Sequence, residues 1–444
     1  MCQRTIVVRC TTGAGIEAAK TLSVDKPGGV SLYRPHDLRG VFIIGLALVA
    51  LTLKLAIAYN TIGTNDVVIF YGFAKALSDH GLEWTYQHSR YFNHPPLTAY
   101  YLCGIYALTE QRWCQDMGIH FPFLLRLPGI VADFVLVLVL LRMSKAQFGL
   151  RIPTWALALF ALSPVSLMVS GFHGNTDPVM VLLLVCAAWM CLRGRPLLCG
   201  LFFAFSCQIK VIPLLLLPAF AFFWLAHGKA RGFFLSMAFT TGVLWSGPAL
   251  KFPALFFKNV LSYGSYWGVW GLTYCLRLTG VRDFSKVDFS GLEPVQQFVV
   301  TVLKIVIIGA ALLIAWRRRH LGGRLFLDSL AYTWIVFFVF APGVSAQYLI
   351  WLAPFVLILS RQFYTWLLVS SSVFLFVFYN VTARHWPWKF AFSNNEVNGV
   401  WAPWSLLPWI ALIAGSIALW RKTVQAEPAL RLFSFETLSA AARR

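Results

Sequence analysis

From Val41 onward, apolar runs of about 15 to 20 residues follow one another along this chain, each closed by proline, glycine or a basic cluster. In hydrocarbon, a backbone can satisfy its N–H and C=O groups only by coiling into helix or closing into a barrel. Runs of this length without strand-like alternation select helix, so the expected fold is an all-α, polytopic membrane protein. The charge content agrees. Only 12% of the 444 residues are charged and 59% are hydrophobic, whereas a soluble domain carries about 25% charged residues.

Topology follows from where the basic residues fall. The first run, Val41 to Ala58, lacks a small-residue cleavage pattern after it, so it reads as a retained span behind a cytoplasmic tail, residues 1–39. Later runs occupy 122–142, 154–170, 177–192, 197–210, 211–227, 233–250, 298–316, 327–342, 347–360, 363–380 and 403–420. The stretch 197–227 is read as two short spans broken near Gln208–Lys210 and Pro213. Basic clusters at Arg142, Lys145 and Arg151, at Arg193 and Arg195, at Lys229 and Arg231, at Arg317–Arg319 and Arg324, at Arg361, and at Arg421 and Lys422 follow every second run. The positive-inside rule then gives about twelve transmembrane helices in a body over 40–420, with both tails (1–39 and 421–444) cytoplasmic. The pattern holds only if PPLTAYYLCGIYAL, led by Pro95 and Pro96, does not cross. It is expected instead as an external juxtamembrane helix over 96–110, within an external loop 59–121. A thirteen-span reading puts a basic loop on the wrong side.

The same clustering accounts for the net charge of +20. Lys and Arg sit at run ends and form no single stripe, so topology explains them and a nucleic-acid partner is not expected. Nine cysteines are scattered without a CxxC or Cys/His array, and no metal site is expected.

The external segments concentrate the polar residues. Asp66 lies eight residues past the first span and precedes a helical pattern, VVIFYGFAKAL. It has two readings there, a helix cap or a carboxylate that takes a proton from an attacking hydroxyl. Asn93 and His94 are restricted by the prolines behind them and either close a turn or bind a polar substrate, His94 through phosphate contact included. Arg126 and Asp133 share a face of the second span, seven residues apart, where an acid needs a partner. The short turn SGFHGNTDPVMV holds His173, Asn175 and Asp177. His173 and Asp177 have the spacing to pair, and Asp177 before Pro178 is also placed to cap. Lys210, in an apolar setting, either snorkels or meets an anion. Gln347 and Tyr348 open a late helix, and Arg384 and His385 stand beside tryptophans in the last external loop, as an interface belt or a lipid-phosphate contact would.

FNHPPLTAY resembles the YPPLTAY segment of the dolichyl-phosphate-glucose-dependent glucosyltransferases of N-glycan precursor assembly, in the GT-C superfamily of integral-membrane glycosyltransferases. GFHGNTDPVMVLLL and QIKVIPLLLLP resemble the same group, and VSAQYLIWLAPF is similar to a segment of bacterial polyprenyl-phosphate-mannose-type members. The resemblance runs in outline over 40–420. It implies an inverting transferase with Asp66 as catalytic base and a polyprenyl-phosphate-linked sugar as donor. A lipid-linked glycan, lipid or protein would be the acceptor, with membrane lipids around the body. Phosphate contact is expected at Lys210, Arg384 or His385, and substrate contact at Asn93, His94, His173, Asn175, Asp177, Gln347 and Tyr348. The chain departs from the group in having His94 where those relatives have tyrosine, and Asn175 and Asp177 in a loop they fill differently. No firm cofactor is implied beyond the lipid-phosphate sugar co-substrate. The setting would be the plasma membrane of a bacterium or the endoplasmic reticulum of a eukaryote. A transporter or flippase of lipid-linked sugars is the competing reading, because many spans and a buried acid fit one as well.

Overall fold

The computed structural model describes residues 36–419 and Arg421, apart from 90, 145–149, 262–265, 288–290, 394–398 and 420. Most of both expected cytoplasmic tails therefore lies outside the described residues.

Among the described residues the regular structure is helical except for one two-residue parallel pairing. α1 (His36–Asn60) is followed by α2 (Asn65–His88), α3 (Pro96–Thr109) and α4 (Phe121–Met143). After a helix over Thr154–Ala161, a π-helical turn over Leu167–His173 leads into α5 (Asp177–Leu192) and α6 (Pro196–Ile209). Among later elements, α7 (Leu349–Leu359) and α8 (Arg361–Thr382) bear on the site.

Seven helices among the described residues are long and apolar enough to cross a membrane, α1, α4 and α8 among them. The chain is thus a polytopic membrane protein with seven candidate spans, where twelve were expected. The expected runs at 177–192, 197–210, 211–227 and 347–360 fold as helices too short to meet that length, and Arg324–Phe340 has 17 residues. A 16-residue helix rises only about 24 Å against ~30 Å of hydrocarbon. These short helices need not reach lipid on their own, because neighbours cover them. In α7 every residue except Ala353 is buried, which suits a helix apolar on all sides. The break expected near Lys210 is present: α6 stops at Ile209, Lys210 is extended, and a 3₁₀ turn over Ile212–Leu216 carries Pro213.

Two apolar cores divide the molecule. The larger fills the helical body, with Trp224, Trp270, Trp334 and Trp351 wholly buried. The smaller joins α2, α3 and the helix Pro253–Leu261 through Phe70, Phe73, Leu102, Ile105 and Phe256. α2 contributes Val67, Phe70, Phe73, Ala74 and Leu77, a spacing that keeps one face inward. α3 has 14 residues, about 21 Å of helix, too short to cross. It is tied to the body where Thr98 Oγ1 donates to the carbonyls of Gln208 and Ile209, each at 3.2 Å.

Candidate active site

The two-residue strand Gly63–Thr64 pairs in parallel with Phe390–Ala391, and the amides of Ile62 and Gly63 donate to the Lys389 carbonyl at 2.9 and 3.2 Å. This pairing ties the start of α2 to the last polar loop. Gly63 has φ +101, and a Cβ there would stand 2.6 Å from the Phe172 carbonyl oxygen. Gly174 has φ +85, and its Cβ would strike Val67 at 2.2 Å. Only glycine lets these two backbones come so close.

Their approach sets Asp66. Thr64, not Asp66, caps α2: its hydroxyl accepts from the Asp66 amide at 3.3 Å and donates to the His173 carbonyl at 2.8 Å. The Asp66 carboxylate is thereby free to point elsewhere. Its Oδ2 meets His173 Nε2 at 3.2 Å and accepts from Asn175 Nδ2 at 3.3 Å and Gln347 Nε2 at 3.2 Å. Among the described residues no hydrogen bond falls on Oδ1, and the side chain is 29% exposed. Burial alone would raise this carboxyl's pKa. The hydrogen bond and charge of His173, the charge of Lys210 and the Asn175 hydrogen bond outweigh it and hold the group below its ordinary value.

Each partner is itself held. The Asn175 side-chain Oδ1 accepts from the Thr176 amide at 2.6 Å, which turns its NH₂ toward Asp66. His173 Nδ1 meets the Tyr379 hydroxyl of α8 at 2.8 Å. Gln347 and Tyr348 form a 3₁₀ turn that opens α7. Lys210 lies 2.6 Å from Asp177 Oδ1, with its ammonium 5.1 Å from the Tyr348 ring centre and 5.7 Å from that of Trp351. Burial works against its charge, but Asp177, Tyr348 and Asp66 more than offset this, so its pKa is raised and it stays a cation. The Gln347–Tyr348 turn thus touches the carboxylate with one residue and the buried cation with the next.

Several expected contacts are arranged differently. His173 and Asp177 do not pair with each other; each takes a separate partner, Asp66 and Lys210. Asp177 neither caps α5 nor faces water, being fully buried against Lys210, so Lys210 does not snorkel. His94 is buried beside Phe70 and Phe92, and burial, then the Lys210 charge, pushes its pKa down to about 3. Its ring is neutral near pH 7 and offers hydrogen bonds, not charge, to a phosphate. Asn93 is half-buried in the same loop, while Arg384 and His385 are exposed, with φ 66 and 155.

Arg126 and Asp133 serve the frame. Arg126 donates to the carbonyls of Gly171 (3.0 Å), Phe172 (3.1 Å), Ala58 (2.9 Å) and Thr61, and to the Thr61 hydroxyl. Asp133 is paired with Lys54 at 2.6 Å. Lys54, Thr64 and Tyr379 are residues the sequence reading missed. Lys54 alone left a trace, as the single charge inside the first apolar run. Tyr379 had no signal, since it touches the site from more than 200 residues away.

An apolar cavity of about 220 Å³ lies between α3, α4, α5 and α6, bounded by Leu97, Thr98, Leu125, Gly129, Thr176 and Ile209. Thr176 and Ile209 are the sequence neighbours of Asp177 and Lys210. Among the described residues no three His, Cys, Asp or Glu side chains converge as metal ligands would.

Fold and site together define an α-helical membrane protein in which an ionised carboxylate and a paired cation share one polar patch at helix ends. The family model of glycosyltransferase family 87 matches residues 123–342, a stretch that holds His173, Asn175, Asp177 and Lys210 and stops short of Asp66 and Gln347. The chain is also 19% identical over 284 residues to GPI mannosyltransferase 1 of Kluyveromyces lactis, covering 60% of this chain and 65% of that protein. The match therefore spans just under two thirds of the relative's length. Both similarities are to glycosyltransferases.

Proposed function

We propose that this protein transfers a hexose, with inversion, from a polyprenyl-phosphate-linked sugar to a lipid-linked glycan, lipid or protein hydroxyl, with Asp66 as the base. The observation that carries this reading is the one-sided bonding of Asp66. Three donors grip Oδ2, and among the described residues none bonds Oδ1, which is left for a hydroxyl. In the reaction, the acceptor oxygen bonds to the anomeric carbon as its proton passes to Asp66. The carbon–oxygen bond to phosphate breaks, and the polyprenyl phosphate leaves with that electron pair. A carboxylate with a lowered pKa is a weak base, so the proton moves late, once the attacking oxygen has become acidic by bonding to carbon. Lys210 meets the phosphate charge in this reading, which its contacts with Asp177 and the Tyr348 ring support. The apolar cavity beside it suits the first isoprene units of the donor. Asn93 and His94 contribute neutral polar contacts, and Arg384 and His385 meet lipid phosphate at the surface. The relative's name favours mannose as the sugar.

The test is transfer by purified protein in nanodiscs, with polyprenyl-phosphate mannose, glucose or arabinose as donor and extracted lipids as acceptors. The expected result is one product of inverted anomeric configuration with equimolar release of polyprenyl phosphate. Movement of the donor across liposomes without any transfer would instead make the protein a flippase.

The twelve-crossing path with α3 on the outer surface belongs to the same reading, since it gathers Asp66, Asp177 and Gln347 on one side. Single cysteines at 194, 230 and 320 in a cysteine-free background should all label from the cytoplasmic side. One of them labelling from outside would break the scheme.

A further inference from the structure

Lys54, Asp133 and Ser170 play no part in that chemistry, yet all three are buried and joined by hydrogen bonds within or beside one short element. The π-helical turn Leu167–His173 is gripped by α4 at both ends. Near its start, Asp133 Oδ2 accepts from Lys54 Nζ at 2.6 Å and from the hydroxyls of Ser166 and Ser170. Lys54 Nζ donates to Ser166 Oγ as well, at 2.6 Å. Near its end, Arg126 holds the Gly171 and Phe172 carbonyls, and Thr64 holds that of His173. The last residue of the turn is His173, whose ring meets Asp66.

A π turn is a rare, loosely wound form, found mostly as single turns. Here side chains hold it at each end. A buried ion pair is a poor source of stability, because desolvation cancels much of its attraction and apolar residues of equal volume often do as well. What a pair in this place does supply is geometry. One charged oxygen collects three donors, from α1, from Ser166 just before the turn and from Ser170 within it, which fixes the rotation of the turn about its own axis.

We infer that the Lys54–Asp133 pair, within the helical body, is a positioning device that sets the winding of Leu167–His173 and so holds the His173 ring against Asp66. The inference rests on Asp66 being the catalytic base. Its failure and that of the base assignment are separable, because one readout below needs no turnover.

Two variants are used in the full-length protein in nanodiscs. Ser170→Ala removes one bond and leaves the charges paired. Lys54→Met with Asp133→Asn removes both charges together, so no uncompensated ion is buried. Each should keep a cooperative melt and both KM values within about twofold, while kcat falls roughly 10-fold, as displaced catalytic groups do. In a His173→Gln background the same substitutions should change kcat by less than about threefold, because the residue they act through is gone. Losses that multiply independently in the two backgrounds, or an unaltered kcat in Ser170→Ala, would overturn the inference. Nitrogen-15 NMR of the histidine rings supplies the other readout, with the His173 signal assigned by His173→Gln. That signal should move in Asp66→Asn, and it should move in both positioning variants. A His173 signal that responds to Asp66→Asn but stays fixed in Ser170→Ala and in the double variant would overturn the positioning role and leave the base assignment standing. Full turnover in Asp66→Asn would sink the base assignment instead.

Discussion

Asp66→Asn should fold normally and lose about 10²–10⁴ in turnover, the usual loss when a general acid or base is removed. Stability is expected to change little, because α2 is capped by Thr64 and the asparagine oxygen can still accept from the groups around Oδ2. What is lost is a negative charge near a helix N-terminus, worth about 0.3–1 kcal/mol, and the capacity to take a proton. Turnover and melting temperature measured on the same preparation separate the roles. A cap alone would lower stability and spare the chemistry, whereas the geometry calls for the reverse. Near-normal turnover in the folded variant would end the assignment.

The same carboxylate sets a pH limit with a definite sign. Its folded-state pKa lies below the ordinary value of 3.8. The anion, and the stability it contributes, is therefore present above that ordinary value and lost only as pH falls through the lowered one. Removing His173 takes away the largest of the lowering influences and leaves burial to push upward. The acid limb of the rate profile should then move to higher pH in His173→Gln.

Much of the site was legible because its residues stand out from an apolar background. Asp66, His173, Asn175, Asp177, Lys210 and Gln347 are polar groups at the ends of apolar runs, and all six fall in one connected set. What could not be read was the pairing. His173 and Asp177 are four residues apart, so sequence spacing joins them, but the glycine-bearing turn between them sends one toward α2 and the other toward α6. Nor was the cap legible: Thr64 and Asp66 are both good cap formers two residues apart, and only the strand pairing of Gly63–Thr64 fixes which one turns inward. Span number was legible only in part, for a related reason: seven helices among the described residues have the length and composition to cross, and the other five expected runs fold as shorter helices. Apolar content reports burial equally well in lipid or in protein, and α7 is apolar on every side because protein surrounds it. The basic clusters at run ends carry topology only for helices that do reach the surface.

Lys210 is the second place where a large effect is expected, and its pairing changes how it must be tested. Lys210→Met alone strands Asp177, which is wholly buried, without its cation. Leaving one member of a buried pair uncompensated costs about 3–5 kcal/mol, so this variant should melt well below the parent whatever Lys210 does for the donor. Loss of donor binding in it would prove nothing. Lys210→Met combined with Asp177→Asn removes both charges, and most of the melting temperature should return. Donor binding should not return with it. A charge-assisted hydrogen bond contributes about 1.5–3 kcal/mol, and at 1.4 kcal/mol per decade this is a 10- to 100-fold weaker Kd for the polyprenyl-phosphate sugar. Tyr348 offers a ring and a hydroxyl there but no cation to replace the ammonium. If the double variant is stable and binds donor with the parent's Kd, then Lys210 serves only to neutralise Asp177, and the phosphate must be met elsewhere, at Arg384 or His385 on the exposed loop.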